Sequence, residues 1–124
     1  MNKKRITKRE RRERRRLRVR AKISGTAEKP RLNIHRSLNG MYIQLIDDQE
    51  GKTLAALNSK TAEVQGDAGE RKGKVAQAYL LGKLLAEKAK ILKIETVVFD
   101  RAGYKYHGKI KALAEGAREN GLLF

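Results

Sequence analysis

The chain reads as one α/β domain, α+β-like, of order β-β-β-α-β-α, with a mixed four-stranded sheet of order 3-2-1-4 packed against two helices and a basic N-terminal arm. Three observations predict this. Apolar residues alternate with polar ones in short runs after Pro30, a helical period begins at Lys74, and a brief β-branched run precedes a second helical segment. A chain of 124 residues builds a single core, so residues 1–30 are assigned to the arm and residues 31–124 to one globular domain.

The arm holds most of the charge: residues 1–22 carry thirteen Lys or Arg and two Glu, net +11 of the chain's +16. Its apolar residues, Ile6, Leu17, Val19 and Ala21, are too sparse to bury a face, so disorder in isolation is expected. A helix is still encoded there, because Thr7 followed by Glu10 matches a capping box and the residues beyond are good helix formers. Like charges oppose that helix until an anion neutralises them, so folding on binding is expected.

Beyond Pro30 the elements follow in order. Leu32 and Ile34 alternate with Asn33 and His35, and Met41, Ile43 and Leu45 with Tyr42 and Gln44, which predicts two strands joined at Asn39-Gly40, a strong hairpin signal. A turn over residues 47–51 leads to a third strand over residues 52–58. Residues 59–73 are polar and glycine-rich and read as a mobile connection. From Lys74, residues Val75, Ala78, Tyr79, Gly82, Leu85, Ala86 and Ala89 fall on one helical face, ending near Leu92. Residues 95–100 (ETVVFD) form a buried strand, and residues 108–120 a last helix with Ile110, Leu113, Ala114 and Ala117 inward, stopped by Asn120-Gly121.

A helix between the third and fourth strands serves as a right-handed crossover, which lays strand four parallel to a neighbour, and strand one is the expected neighbour. The C-terminal ends of strands one and four then share an edge, the favoured place for ligands of α/β sheets. After strand four come Arg101, Gly103, Tyr104, Lys105, Tyr106, His107, Gly108 and Lys109. Arg and aromatic planes stack on bases, Lys and Arg meet phosphates, and glycines let backbone approach closely. Loop tyrosines also pack against their own domain, and a histidine ahead of a helix also serves as a cap, so both readings stand for Tyr104, Tyr106 and His107.

Composition narrows the function. Thirty Lys and Arg against fourteen Asp and Glu exceed what solubility requires, and nucleic acid is the commonest polyanion to balance them. With no cysteine, disulfides, thiol catalysis and cysteine zinc sites are excluded. No apolar run has the length of a membrane span, the N-terminus lacks the apolar stretch of a secretory signal, and Glu10 and Glu13 sit badly with a transit peptide, so a cytosolic or organelle-interior protein is expected. The RNA contacts are therefore placed on Lys3, Lys4, Arg5, Lys8, Arg9, Arg11, Arg12, Arg14, Arg15, Arg16, Arg18 and Arg20 of the arm, on Arg36, Ser37, Tyr42 and Gln44 near the hairpin, and on Arg101 and residues 103–109. No catalytic residue, metal or cofactor is assigned.

Several segments together, ETVVFDRAGYKYHGKIKALAEGARENGLLF, the strand RLNIHRS, the hairpin into MYIQLIDD and the basic arm, closely resemble the family of large ribosomal subunit protein eighteen of the bacterial type, over almost the whole chain. The resemblance implies a three-layer-like α/β domain with a basic arm, and a protein that binds 5S rRNA and helps attach it to 23S rRNA in the central protuberance, beside other 5S-associated proteins. It implies RNA contacts from the arm, from Arg36, Ser37 and Tyr42, and from Gly103, Tyr104, Tyr106, His107 and Gly108. It implies a ribosome in a bacterial cytosol or a plastid interior, with no membrane and no small-molecule substrate. Ala102 stands where that family often has a second glycine, and Asn39-Gly40 where it often has a Lys or His pair.

Two other classes compete. A metal-dependent nuclease of ribonuclease H-like fold would use Asp47, Asp48 and Asp100 at strand ends to hold Mg²⁺. Turn chemistry accounts for these residues more simply, with Arg101 the expected ion-pair partner of Asp100. A non-specific binder of polyanions or anionic membrane would need the arm but not the Tyr-rich loop.

Overall fold

Period-two patterning and two amphipathic segments are enough to build most of this molecule. In a computed structural model, which describes residues 6–37, 40–62, 64 and 66–124, the order is α1 (Lys8–Arg20), β1 (Arg31–Ser37), β2 (Gly40–Asp47), β3 (Lys52–Asn58), α2 (Gly73–Ile91), β4 (Val98–Asp100) and α3 (Gly108–Glu119). The strands form one sheet of order β3-β2-β1-β4, in which β4 joins β1 in parallel and the other pairings are antiparallel. The α/β class and the 3-2-1-4 order are therefore as the patterning predicts.

Alternation decides which face is buried. Leu32, Ile34, Met41, Ile43 and Leu45 point to the helices and are almost wholly buried, and Leu57 follows from β3. Against them pack Leu81 and Leu85 of α2 with Ile110 and Leu113 of α3. Each Leu or Ile so buried contributes about 1.5–3 kcal/mol of transfer free energy. Residues of opposite parity, Arg31, Asn33, His35, Tyr42 and Gln44, lie on the face turned away from these helices. The N-terminal segment lies over part of that second face, with Gly25 bonded to Asp48 beside Arg31 and Arg12, Glu13 and Arg16 of α1 lining a cavity with Asn33 and His35.

Three local expectations shift. The register pairs Ser37 with Gly40, so Gly40 opens β2, and Leu38 and Asn39, where half of the expected turn falls, lie outside the described residues. The connection over residues 59–73 is tied to the domain rather than loose: Ala62 and Val64 pack on the core, and the Arg71 guanidinium lies 4.0 Å over the Tyr79 ring while pairing with Glu115. Tyr79 is itself half-buried, not fully core, because its hydroxyl donates to Glu119 on α3.

Helices α2 and α3 approach more closely than side chains normally allow. A Cβ on Gly82 would lie 2.1 Å from the Leu113 carbonyl oxygen, and one on Gly116 would lie 2.0 Å from that of Tyr79. Each helix thus presents bare backbone where the other's backbone passes. Gly82→Ala and Gly116→Ala should each gain roughly 1 kcal/mol of helix propensity but lose about 1–3 kcal/mol or more to overpacking against rigid backbone. A net fall in the urea midpoint is expected for both; an unchanged or raised midpoint would mean that the helices are free to move apart.

Candidate nucleic-acid interface

At the C-terminal end of β4 stands Asp100, fully buried. Its Oδ2 accepts from Arg31 Nη1 at 2.8 Å and from Asn33 Nδ2 at 3.1 Å, while Oδ1 accepts from the Ala102 N–H at 2.9 Å. Arg31 meanwhile donates from Nε and Nη2 to Asp48 at 3.0 and 3.1 Å, and Asp48 also accepts from the Gly25 N–H at 2.7 Å and lies 3.6 Å from Arg20. The expected Asp100–Arg101 ion pair is thus corrected: Arg101 is exposed, and the partner is Arg31 on the neighbouring strand. Buried charge demands compensation, and only a residue inside the fold supplies it.

This network sets the direction of the loop that follows. Ala102 takes φ of 55°, a left-handed conformation that favours glycine, and its bond to Asp100 helps hold it there. Gly103 follows at φ of 80° and meets α1 so tightly that a Cβ would lie 2.5 Å from the Arg12 carbonyl oxygen. Its own carbonyl accepts from Arg15 Nε at 3.1 Å. The arm helix therefore docks on the Gly103 turn. At its start, Thr7 Oγ1 accepts from the Glu10 N–H at 3.1 Å, the predicted cap, and Glu13 pairs with Arg16 one turn later.

Tyr104 turns inward. Its hydroxyl donates to the Arg36 carbonyl at 3.0 Å and accepts from the Arg36 N–H at 3.3 Å, bridging the loop to β1. Arg12 and Arg36 place guanidinium carbons 4.9 and 5.0 Å from the centre of its ring. Of the two readings for this residue, packing holds: Tyr104 is 6% exposed and orients two arginines. Tyr106 is 38% exposed, set edge-on to Phe99, and accepts from Arg118 Nη1.

Between α1, the end of β1 and this loop lies a cavity of about 520 Å³ walled by Lys8, Arg9, Arg12, Arg15, Arg36, Lys105 and His107, with Gly103 and Tyr104 at its base. Among the described residues no carboxylate lines it. His107 is the N-cap residue of α3 but makes no capping bond with its side chain, and Gly108 opens the helix. Other predicted residues lie elsewhere. Arg11, Arg14 and Arg18 are exposed on α1, and Arg16 is engaged by Glu13. Arg20 is an anchor, donating to the Ile23 carbonyl beside Asp48. Tyr42 and Gln44 sit on the uncovered sheet face opposite His35 and Asn33. Ser37 ends β1, Lys109 faces a different cavity, and Lys3, Lys4 and Arg5 lie outside the described residues.

Sequence reasoning missed Arg31, Asn33 and His35. Period two puts all three on the outward face, but nothing local tells that Arg31 will meet an aspartate 69 residues away. As for the nuclease reading, Asp47 caps its own turn by accepting from Gln49 and Glu50, Asp48 and Asp100 are held by Arg31, and among the described residues no group of three His, Cys, Asp or Glu is placed to hold a metal.

Fold and site together define a small basic α/β protein that offers a cation-walled cleft to a polyanion. The family model for ribosomal L18 of archaea, bacteria, mitochondria and chloroplast matches residues 6–124. Among curated relatives named large ribosomal subunit protein uL18, that of Desulforudis audaxviator is 55% identical over 95% of this chain and 96% of its own. That of Herpetosiphon aurantiacus is 51% identical over 96% and 98%, and that of Limosilactobacillus reuteri 55% over 91% and 92%. The chain belongs to the ribosomal L18 family, in its bacterial form: it is a structural, non-enzymatic constituent of the large ribosomal subunit, working on the ribosome in the cytoplasm.

The Arg31 guanidinium holds the Asp48 carboxyl below the usual carboxylate range against the opposing effect of burial, with the Gly25 N–H and Arg20 assisting. A depressed carboxylate stabilises the fold above its unfolded pKa, near 3.9, and that contribution is lost as pH falls through the lower folded value. Arg31→Ala should cost about 3–5 kcal/mol at pH 7 by leaving Asp100 buried without its partner, and should flatten the loss of stability on acidification below about pH 4. Urea unfolding of both proteins from pH 3 to 7 checks this; equal stabilities at neutral pH would show the network to be dispensable.

Proposed function

We propose that the protein binds 5S rRNA and helps attach it to 23S rRNA in the central protuberance of the large subunit, next to other 5S-associated proteins. The observation that carries this reading is the cleft between α1 and the Gly103 turn, where cations from three segments converge with no carboxylate from the described residues among them. Phosphate contacts position RNA, and Arg or Lys side chains fixed by protein contacts lose less entropy on meeting them. Arg12 and Arg15 are held in that way by Tyr104 and Gly103.

In this reading residues 1–30 act as the RNA-gripping arm and residues 31–124 as the domain that orients it. Lys8, Arg9, Arg12, Arg15, Arg36, Lys105 and His107 take phosphates inside the cleft, with Arg11, Arg14 and Arg18 on the outer side of α1. Tyr106 and Tyr42, 38% and 37% exposed, are the rings open to a base. Tyr104 acts as a support for Arg12 and Arg36. Among the described residues no helix is long and apolar enough to cross a bilayer.

Binding of labelled 5S rRNA, measured between 50 and 200 mM salt against a random RNA of equal length, tests the reading. With roughly 6 to 10 phosphate contacts, affinity should fall about 10³ to 10⁵-fold across that range, and deleting residues 1–22 should weaken binding and flatten the slope. Tyr106→Ala should instead cost about 1–3 kcal/mol at every salt concentration, the worth of one stacked base. Equal affinity of the intact protein for both RNAs would reduce it to a non-specific polycation.

A further inference from the structure

A second cavity, of about 270 Å³, opens beside the start of β2, the residues just after β3 and the first turns of α2 and α3. Lys60, Lys74 and Lys109 line it together with Gln77 and Ser59, and among the described residues no carboxylate does. The seven ion pairs among the described residues leave all three lysines out. A surface charged only for solubility intersperses both signs, so three converging cations with no counter-ion among the described residues call for another explanation.

The backbone adds to the same field. Lys74 and Lys109 are each the second residue of their helix, and neither α2 nor α3 has a side-chain cap or an acidic residue in its first turn. The unpaired N–H groups of both first turns therefore carry partial positive charge near the lysines. Burial, Lys74 and Arg36 together push the Lys109 ammonium below the ordinary lysine range. An arriving anion would relieve that repulsion.

We propose that this cavity is a second phosphate-binding site, distinct from the arm cleft, and that it takes a backbone phosphate of the bound RNA. The inference rests on the RNA-binding reading above. An acidic side chain of a neighbouring protein is the competing occupant, and position argues against it. His107 lines the arm cleft and Lys109, two residues on, lines the second cavity, so the first turn of α3 separates the two. An RNA strand crossing the start of α3 meets both. Lysine suits the task, since its compact ammonium takes a phosphate oxygen as a point charge without a fixed approach.

The test uses the full chain and 5S rRNA. A triple variant, Lys60→Gln, Lys74→Gln, Lys109→Gln, is compared with a charge-matched control, Lys88→Gln, Lys90→Gln, Lys93→Gln, at the far end of α2. The first should lower the slope of log affinity against log salt by about 2 to 3, close to 0.9 for each lost phosphate contact, and the control by less than about 1. Lys→Arg at the same three pocket positions should restore the slope, which separates lost charge from lost folding. If pocket and control variants give equal slopes while the parent protein still prefers 5S rRNA to random RNA, the pocket is not a phosphate site and the RNA-binding reading survives. If the parent protein shows no such preference, it is that reading which fails.

Discussion

Two segments distant in sequence meet on the guanidinium of Arg31, a third joins them through Asp48, and the molecule's working parts hang from that point. By donating to Asp48 and Asp100 together, Arg31 joins the β2–β3 turn to the end of β4, and through Gly25 and Arg20 it draws in the chain leading from α1. Such a network is weak proof of net stability, since apolar residues of like volume often stabilise as well. Its worth is directional. Asp100 is held so that its second oxygen is aimed at the Ala102 N–H, and from there the turn is set that receives α1.

The same logic explains why an arm helix with no buried residue can still have a defined place. Docking rests on polar and backbone contacts, a carbonyl offered to Arg15 and a glycine flat enough for the Arg12 backbone. These contacts leave the remaining cations of α1 facing solvent, and they keep the helix where its charge adds to that of Arg36 and Lys105. A helix held by an apolar stripe would turn that surface over to packing. Here Lys8, Arg9, Arg11, Arg14 and Arg18 stay exposed on α1.

The fold was largely legible because its signals are local. Alternation in RLNIHRS and MYIQLID, the helical period after Lys74 and the brevity of ETVVFD yield element types, order and parallel closure from neighbouring residues alone. What escaped depends on residues far apart. Arg101 is beside Asp100 in the chain yet points away, while Arg31 reaches it across the sheet, and the inward turn of Tyr104 follows from a hydroxyl that finds the Arg36 backbone 68 residues away. Composition identified the Gly103–Lys109 stretch as chemically special, but it could not tell the ring that supports from the ring that is open.

The span of the contact between Arg15 and the Gly103 carbonyl, 88 residues, sets an order of assembly during synthesis. As the chain leaves the tunnel from its first residue, the hairpin and its Arg31–Asp48 bridge, 17 residues apart, can close early, because short loops lose little entropy on closing. The seat for α1 does not exist until β4 and the turn after it have emerged. Helix α1 is thus synthesised well before the turn that seats it, and until that turn forms, Arg12 and Arg15 lack the partners that Tyr104 and Gly103 supply.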